Sequence, residues 1–393
     1  MVGNEQLLAP ADGFPHLTTF GKPGKIMIRR LTWISGNRPK QGPFRGNTKA
    51  MEKTFRIGLT RDFLNPAGEL GYGDIGLELL ENRDDIQWEF LQDHGHELSP
   101  GDLSGFDALL LLGGQITANS LIGDERLKVI ARFGVGYDNV DVSACTEAGV
   151  LLTITPDGVR RAVASTAITF ILALSHQLLA KDRLTRTNRW HERLDYMGQG
   201  LVGKTLGIVG LGNTGCEVFR LAKPFEMRHI GYDPYADSDA MQRLGVEVME
   251  LDDLLRESDY VVICCVLAPE TRRLINADRL ALMKRSAFVI NVARGPIVDQ
   301  AALTNALQHG TIRGAALDVF EKEPIDPDDP ILSLENVIVT PHSLCWTDEM
   351  FLATGRSAIQ SILDVHEGRT PKSVVNRELL GQQQLRARFT KQK

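Results

Sequence analysis

The fold is decided by the stretch Thr205-Leu-Gly-Ile-Val-Gly-Leu-Gly-Asn-Thr-Gly215. Its first five residues are mostly apolar, as in a buried parallel strand, and Gly210, Gly212 and Gly215 then form a Gly-x-Gly-x-x-Gly motif before a helical run. Asp233 follows eighteen residues beyond Gly215, at the end of the next predicted strand. A strand, a glycine-rich turn, a helix and a later acidic residue together predict a Rossmann dinucleotide-binding unit.

Each part of this motif has a physical role in holding a dinucleotide. Gly210 permits the tight turn, Gly212 lets the backbone approach a pyrophosphate at the helix N-terminus, and Gly215 lets helix and strand pack closely. Asp233 can accept hydrogen bonds from both adenosine ribose hydroxyls and would repel a 2′-phosphate, which predicts NAD rather than NADP. The alternative interpretation of the same residues is an ordinary glycine-rich turn between a strand and a helix, with Asp233 exposed to solvent and no cofactor bound.

Apolar runs that alternate with helical stretches precede and follow this motif, and they predict an α/β fold with parallel strands. The second series is apolar on both faces, as expected of a sheet covered by helices. The predicted strands are residues 55–59, 108–112, 129–133 and 150–154 in the first series, and 205–209, 229–232, 246–249, 260–266, 287–291, 315–319 and 337–340 in the second.

Composition limits the class of protein. The chain has 393 residues, 43% of them hydrophobic, with 44 Lys+Arg against 50 Asp+Glu, which argues against a disordered chain and suggests two domains or three. Its pI near 5.9 gives no general reason to expect nucleic-acid or membrane binding. Five cysteines without CxxC spacing predict no metal site and favour a reducing compartment, the cytoplasm.

Three segments outside the strands need separate interpretation. The apolar stretch 162–180 contains Ser165, Thr169 and His176, so we expect a buried helix rather than a membrane span. Residues 1–53 are rich in Gly and Pro, and their first fifty carry eight Lys/Arg against two acids; they are expected to form a loosely ordered basic arm. The arm is either a contact segment or a dispensable extension ahead of Met51. Residues 377–393 are predicted to be a polar tail.

Three charged side chains follow strands of the second series. Arg294 comes just after residues 287–291, Glu323 lies a few residues past 315–319, and His342 follows 337–340. Ligands bind open α/β sheets outside the carboxyl ends of the strands, so we expect all three at the edge where the cofactor lies. Taken singly, each has a structural alternative: a local salt bridge, a solvated loop in which Glu321 competes with Glu323, and a structural histidine.

Together the three suit the chemistry of a 2-oxo acid. Arginine can hold the carboxylate and polarise the carbonyl through its planar fork. Histidine can give a proton to the forming alkoxide, or accept the hydroxyl proton in the reverse direction, and a neighbouring carboxylate orients its ring.

Several longer motifs occur together with these residues. They are Ala131-Arg-Phe-Gly-Val-Gly-Tyr-Asp-Asn-Val-Asp141, the glycine motif with Asp233, Asn291-Val-Ala-Arg-Gly-Pro-Ile-Val-Asp299, Gly314-Ala-Ala-Leu-Asp-Val-Phe-Glu-Lys-Glu-Pro324 and Thr340-Pro-His342. With them the sequence resembles the D-isomer-specific 2-hydroxyacid dehydrogenase family from about residue 55 to residue 376. That family includes glyoxylate/hydroxypyruvate reductases, D-lactate dehydrogenases and phosphoglycerate dehydrogenases.

The resemblance implies a fold and an activity. It implies a Rossmann NAD-binding domain, residues 159–347, inserted into a flavodoxin-like substrate domain split between residues 54–158 and 348–376. It also implies a homodimer that interconverts a D-2-hydroxy acid and its 2-oxo acid with NAD.

Site residues are implied in the same way. Arg294 would bind substrate, His342 would act as acid/base, and Glu323, the glutamate before the proline, would tune His342. The implied substrate-carboxylate contacts are the backbone amides of Val135 and Gly136. The implied cofactor contacts, beyond the three glycines and Asp233, are Asn213, Thr214, Cys265, Val266, Ala293 and Asp318.

Some features depart from the family pattern or leave other functions open. Cys264-Cys265-Val266 replaces a common His-x-Pro, and Trp346 replaces a small residue, where it either narrows the pocket or simply packs. An NAD(H)-sensing corepressor-like protein would keep similar residues, and the basic arm is the feature that favours it. A formate-dehydrogenase-like enzyme would need a glutamine as the partner of its catalytic histidine, and Glu323 in that place argues against this function.

Overall fold

A computed structural model describes residues 54–92, 95–123 and 126–381. The predicted basic arm, residues 1–53, lies outside the described residues, as does residue 382 onward of the predicted tail.

The first part of the described chain forms a parallel sheet of five strands in the order β2-β1-β3-β4-β5. This is the flavodoxin-like order. Four strands confirm the predicted first series to within one residue at either end, and β2 was not predicted from the sequence. The strands are β1 Phe55–Leu59, β2 Ile86–Phe90, β3 Ala108–Leu111, β4 Val129–Arg132 and β5 Leu151–Thr153.

The second sheet is parallel and has seven strands among the described residues, in the order β12-β11-β10-β9-β6-β7-β8. Reading outward from β6, this is the Rossmann order with one strand added at the far edge. The strands are β6 Thr205–Val209, β7 Arg228–Tyr232, β8 Glu247–Val248, β9 Tyr260–Ile263, β10 Phe288–Asn291, β11 Gly314–Leu317 and β12 Val337–Val339. The two orders confirm the predicted fold class, whereas the predicted domain boundaries stay a prediction.

Helices connect the strands and cover the sheets. Several begin at a side chain that accepts a backbone amide, such as Asp141, Asp237, Asp299 and Thr347. The helices are α1 Pro100–Leu103, α2 Val142–Glu147, α3 Pro156–His176, α4 Leu178–Arg186, α5 Asn213–Ala222, α6 Ser238–Leu244, α7 Leu251–Glu257, α8 Ala277–Leu282, α9 Gln300–Gln308 and α10 Asp348–His366.

Helix α3 joins the two sheets. It is the one helix of the described residues that is long and apolar enough to cross a membrane, yet half of that apolar window is buried inside the protein. Its Phe170 and Ile171 enter the core of the seven-stranded sheet, while Val159 enters the core of the five-stranded sheet. The prediction of a buried helix agrees with this arrangement as far as His176; Gln177, with φ 52°, then separates α3 from α4.

The end of the chain returns to the first sheet. Phe351, Ile359 and Ile362 of α10 pack in the same core as β1 and β3. Residues Arg377–Gly381 form a 3-10 turn in which Leu379 is buried in that core, so ordered structure continues past the predicted start of the tail.

Candidate active site

The glycine-rich turn lies at the carboxyl edge of the seven-stranded sheet, between β6 and α5. Gly210 has φ +100°, and a Cβ there would lie 2.4 Å from the backbone nitrogen of Cys265. A Cβ on Gly215 would lie 2.1 Å from the carbonyl oxygen of Gly210, whereas a Cβ on Gly212 would meet nothing within 4 Å. The turn is therefore closely packed at Gly210 and Gly215, and it is open at Gly212. Asn213 and Thr214, at the start of α5, place helix N-terminal amides beside that open face.

Asp233 lies beside this turn, directly after β7. One carboxylate oxygen accepts the amide of Leu211 at 2.9 Å, and the other accepts the amide of Tyr235 at 2.9 Å. A carboxylate has lone pairs beyond these two, so it can also accept hydrogen bonds from ribose hydroxyls. The open turn and the acidic side chain together fit an adenine dinucleotide.

The other predicted cofactor residues follow neighbouring strands at the same edge. Cys265 and Val266 come after β9, and Ala293 comes after β10. Burial raises the pKa of the Cys265 thiol to about 11, which keeps it neutral and effectively apolar. Val266 is 75% exposed, and the Ala293 amide is held by the Asn291 side chain at 3.0 Å.

His342 and Glu323 are in direct contact. His342 follows β12 in the left-handed region, with φ 54°, and its Nδ1 lies 2.7 Å from Glu323 Oε2. The other Glu323 oxygen accepts the Phe320 amide at 3.0 Å. Glu321 instead lies 3.6 Å from the Nε of Arg273, so the geometry selects Glu323 as the histidine's partner.

Opposing effects set the charge state of Glu323. Burial raises the pKa of this carboxyl, but the hydrogen bonds from His342 and Phe320, and the charge of Arg294, together hold it below its ordinary value. Glu323 is thus ionised at neutral pH and can accept a proton-bearing Nδ1. The Nε2 of His342 then remains for a substrate oxygen.

Asp318 holds the loop that carries His342. It is 4% exposed, and its Oδ1 accepts the Thr340 hydroxyl at 2.6 Å and the amides of Ser343 and Leu344 at 3.0 and 3.3 Å. These bonds fix the chain on both sides of the histidine. The family resemblance implied a position for Asp318 beside the nicotinamide and gave no sign of this role, because strand patterns do not show which amides an aspartate reaches.

Arg294 follows β10 and reaches the loop after β4. Its Nε donates to Asp138 at 2.6 Å, and one terminal nitrogen lies 1.3 Å from where a Cβ on Gly136 would be. A side chain at position 136 would therefore force the guanidinium of Arg294 to move. Among the described residues, the amides of Val135 and Gly136 have no hydrogen-bond partner. The guanidinium of Arg294 therefore lies close to two amides that have no partner among the described residues, and such groups suit a carboxylate.

Trp346, four residues beyond His342, packs against two aromatic side chains that belong to the core of the five-stranded sheet. Its ring meets Tyr72 edge-on at 5.1 Å and Phe351 at 5.7 Å, while 48% of the residue stays exposed. Packing is therefore part of its role, and its exposed part can still border a pocket.

Within the described ranges no group of three or more His, Cys, Asp or Glu could hold a metal ion.

Comparisons with known proteins agree with this architecture. Residues 168–343 match the model described as "D-isomer specific 2-hydroxyacid dehydrogenase, NAD binding domain". A glyoxylate reductase of Korarchaeum cryptofilum is 38% identical over 70% of this chain and 84% of its own length. A D-3-phosphoglycerate dehydrogenase of Methanocaldococcus jannaschii is 39% identical over 71% of this chain.

The chain spans about half the length of that phosphoglycerate dehydrogenase, 53%, but most of the glyoxylate reductase. Among solved structures, a glyoxylate reductase from Paecilomyes thermophila superposes with a TM-score of 0.71 and 26% identity, covering 82% of this chain and 99% of that one.

Proposed function

Because this chain belongs to the D-isomer specific 2-hydroxyacid dehydrogenase family, whose members are NAD-dependent oxidoreductases acting on CH–OH groups, we propose that it interconverts a small D-2-hydroxy acid and its 2-oxo acid. The observation that carries this proposal is the 2.7 Å contact between His342 Nδ1 and Glu323, at the sheet edge that also holds the glycine-rich turn. NAD, when bound there, supplies the hydride acceptor or donor.

Arg294 binds the substrate in this proposal. Its guanidinium and the free amides of Val135 and Gly136 hold the substrate carboxylate, and the positive charge polarises the neighbouring carbonyl. Since Asp138 occupies the Nε of Arg294 at 2.6 Å, substrate uses the terminal nitrogen over Gly136 or displaces that carboxylate.

His342 moves the proton. In reduction, the protonated ring donates from Nε2 to the developing alkoxide, while Nδ1–H stays hydrogen-bonded to Glu323. In oxidation, the neutral Nε2 takes the hydroxyl proton. Glu323 acts through His342 by fixing the orientation of its ring, and Asp318 fixes the loop beneath it.

The dinucleotide is held, in this proposal, by residues on both sides of the open turn. The amides at Gly212, Asn213 and Thr214 face the pyrophosphate, and Asp233 binds the ribose hydroxyls. The fit rests on the open space in front of Gly212 and the close packing behind Gly215.

Steady-state kinetics test the activity. With NADH and a panel of 2-oxo acids we expect substrate-dependent loss of NADH absorbance, and with NAD we expect oxidation of D- but not L-2-hydroxy acids. Preference for the L-enantiomers would contradict the stereochemistry. NAD(H)-dependent binding of a protein partner, without turnover of any 2-oxo acid, would instead favour the corepressor-like function.

We also propose that the protein forms a homodimer through an apolar patch, defined here as Leu178, Trp190, Leu194, Met197 and Val202. These side chains are between 56% and 75% exposed and all lie within one segment of the chain, a clustering unusual for a free surface. A cleft of about 250 Å³ beside them, lined in part by Leu178 and Tyr196, could receive side chains of a second copy.

Light scattering tests the dimer. Leu194→Asp combined with Met197→Asp should give a monomer, whereas the control Ile122→Asp, at a residue 64% exposed outside the patch, should leave the dimer intact. A monomeric wild-type protein would contradict this proposal. A cytoplasmic location stays a prediction from the cysteine content.

A further inference from the structure

The loop that carries His342 crosses from one sheet to the other. It leaves β12 of the seven-stranded sheet after Val339 and enters α10, which packs on the five-stranded sheet, at Asp348. Within the loop, Leu344 packs against the core of the seven-stranded sheet, whereas the next residue, Cys345, packs against the core of the five-stranded sheet. The position of His342 therefore depends on how the loop is held at both of its ends.

Hydrogen bonds hold the end of the loop that lies next to β12. The buried carboxylate of Asp318 accepts the Thr340 hydroxyl at 2.6 Å and the amides of Ser343 and Leu344 at 3.0 and 3.3 Å. The chain then closes in a turn, in which the Trp346 amide donates to the Ser343 carbonyl at 2.9 Å. The bonds to Asp318 thus reach as far as Leu344 and stop two residues before Trp346.

Aromatic packing holds the end of the loop that lies next to α10. The Trp346 ring meets Tyr72 edge-on at 5.1 Å and Phe351 edge-on at 5.7 Å. Tyr72 stacks on Phe351 at 4.5 Å with 13° between the ring planes, and Phe351 lies 5.6 Å from Phe133. Edge-on and stacked pairs at these separations are favourable for aromatic rings. Tyr72, Phe133, Trp346 and Phe351 are called the aromatic cluster below.

The aromatic cluster connects the two loops on which the proposed reaction depends. Phe133 directly precedes the loop whose amides, at Val135 and Gly136, are offered to the substrate carboxylate, and Trp346 lies four residues beyond His342. The carboxylate and the carbonyl of a 2-oxo acid are on adjacent carbon atoms, so the proton donor and the carboxylate-binding amides must keep a fixed separation. A misplacement of about 1 Å can cost a factor of about 100 in rate.

Resting on the function proposed above, we infer that Trp346 is a positioning residue for His342. Its ring, held by Tyr72 and Phe351, fixes the end of the loop that Asp318 does not reach. The imidazole is thereby kept at a set distance from the carboxylate-binding amides. The indole acts through the backbone of the loop, without contact with the reacting atoms.

The rate of NADH oxidation in a single turnover, with enzyme in excess over NADH and the best 2-oxo acid saturating, tests this inference. Trp346→Leu removes the aromatic contacts and keeps an apolar side chain. It should lower the single-turnover rate about 10- to 100-fold, and it should change the KM for the 2-oxo acid and the Kd for NADH less than about threefold. Trp346→Phe should recover most of the rate, because it keeps a ring beside Tyr72 and Phe351.

Trp88→Leu is the matched control. Trp88 also meets an aromatic ring edge-on, Phe90 at 6.0 Å, and packs against the same core, but it lies in β2 at the edge of the five-stranded sheet. We expect this variant to keep the single-turnover rate of the wild type.

A double-mutant cycle tests whether Tyr72 and Trp346 act through one contact. Tyr72→Leu should lower the single-turnover rate by itself, which keeps the inference testable even if Trp346→Leu does not fold. The double variant should be no slower than Trp346→Leu alone, because both substitutions release the same end of the loop. Circular dichroism melting identifies the variants that fold.

Three results would overturn the inference. The first is a wild-type rate in folded Trp346→Leu and Tyr72→Leu proteins. The second is an equal loss of rate in Trp88→Leu, which would indicate a general effect of disturbing this core. The third is a rise in kcat/KM of Trp346→Leu confined to 2-oxo acids with bulky side chains, which would make Trp346 a wall of the pocket. Absence of turnover by the wild type with every 2-oxo acid would instead show that the proposed function itself is wrong.

Discussion

Alanine substitutions at Gly215 and Gly212, two glycines of the same turn, should affect different properties: the first lowers the stability of the fold, and the second weakens NADH binding. At Gly215 the new methyl group would lie 2.1 Å from the carbonyl oxygen of Gly210, well inside van der Waals contact. Because the obstacle is backbone, the turn must move by about 1 Å, and such overpacking costs about 1–3 kcal/mol. Gly215→Ala should therefore lower Tm by roughly 1–4 °C.

At Gly212 the methyl group would meet no atom within 4 Å, and the backbone there, with φ −73°, accepts alanine. Gly212→Ala should keep the Tm of the wild type. Its methyl group projects where the pyrophosphate must approach, so loss of one or two charge-assisted hydrogen bonds should weaken NADH binding about 10- to 100-fold.

Circular dichroism melting and NADH fluorescence titration separate the two effects. Gly101→Ala is a suitable control, because the nearest atom to its Cβ position is 3.6 Å away. Wild-type NADH affinity in a folded Gly212→Ala protein would refute the placement of the pyrophosphate at this turn.

Three further substitutions test other parts of the account. Asp233→Asn should reduce the preference for NAD over NADP about tenfold or more, as measured by the ratio of kcat/KM values, because it removes the charge that repels a 2′-phosphate; an unchanged ratio would place the ribose elsewhere. Glu323→Gln should lower kcat about 10- to 100-fold with little change in the KM for NADH, and an unaltered kcat would contradict its positioning of His342. Glu217→Gln should lower the free energy of unfolding by about 1–2 kcal/mol at neutral pH, because Glu217 accepts a hydrogen bond from Arg161 of α3 at 2.8 Å. That hydrogen bond, with the charges of neighbouring arginines, lowers the pKa of Glu217 in the folded protein. The difference in unfolding free energy between the wild type and Glu217→Gln should therefore disappear as the pH falls through that lowered pKa. A difference that persists at acid pH would show that another interaction causes it.

Local features of the fold were predictable because the chain encodes them within a few residues. The strand, turn and helix around Gly210 lie within one short segment, and β6 has the predicted ends. The strand predicted over residues 260–266 ends at Ile263, because the backbone at Cys264 and Cys265 turns to pack on Gly210. Strand β2 was missed because the prediction rested on apolar runs, whereas Ile-Gln-Trp-Glu-Phe alternates apolar and polar residues, the pattern of a half-buried edge strand.

Long-range contacts of the site could not be predicted from spacing. The resemblance and strand-end positions predicted Arg294, Glu323 and His342 at one edge. They did not predict Asp138, which meets Arg294 across 156 residues of chain. Such contacts depend on how the two sheets face each other, and one sequence carries no local signal for that arrangement.

The acid/base role of His342 is tested most directly by the rate at which His342→Gln consumes NADH with the best 2-oxo acid of the panel. We expect kcat to fall about 10²- to 10⁴-fold, because glutamine can form hydrogen bonds but cannot transfer the proton, and we expect NADH affinity like that of the wild type. A kcat close to that of the wild type would contradict the assignment of His342 as the acid/base of the reaction.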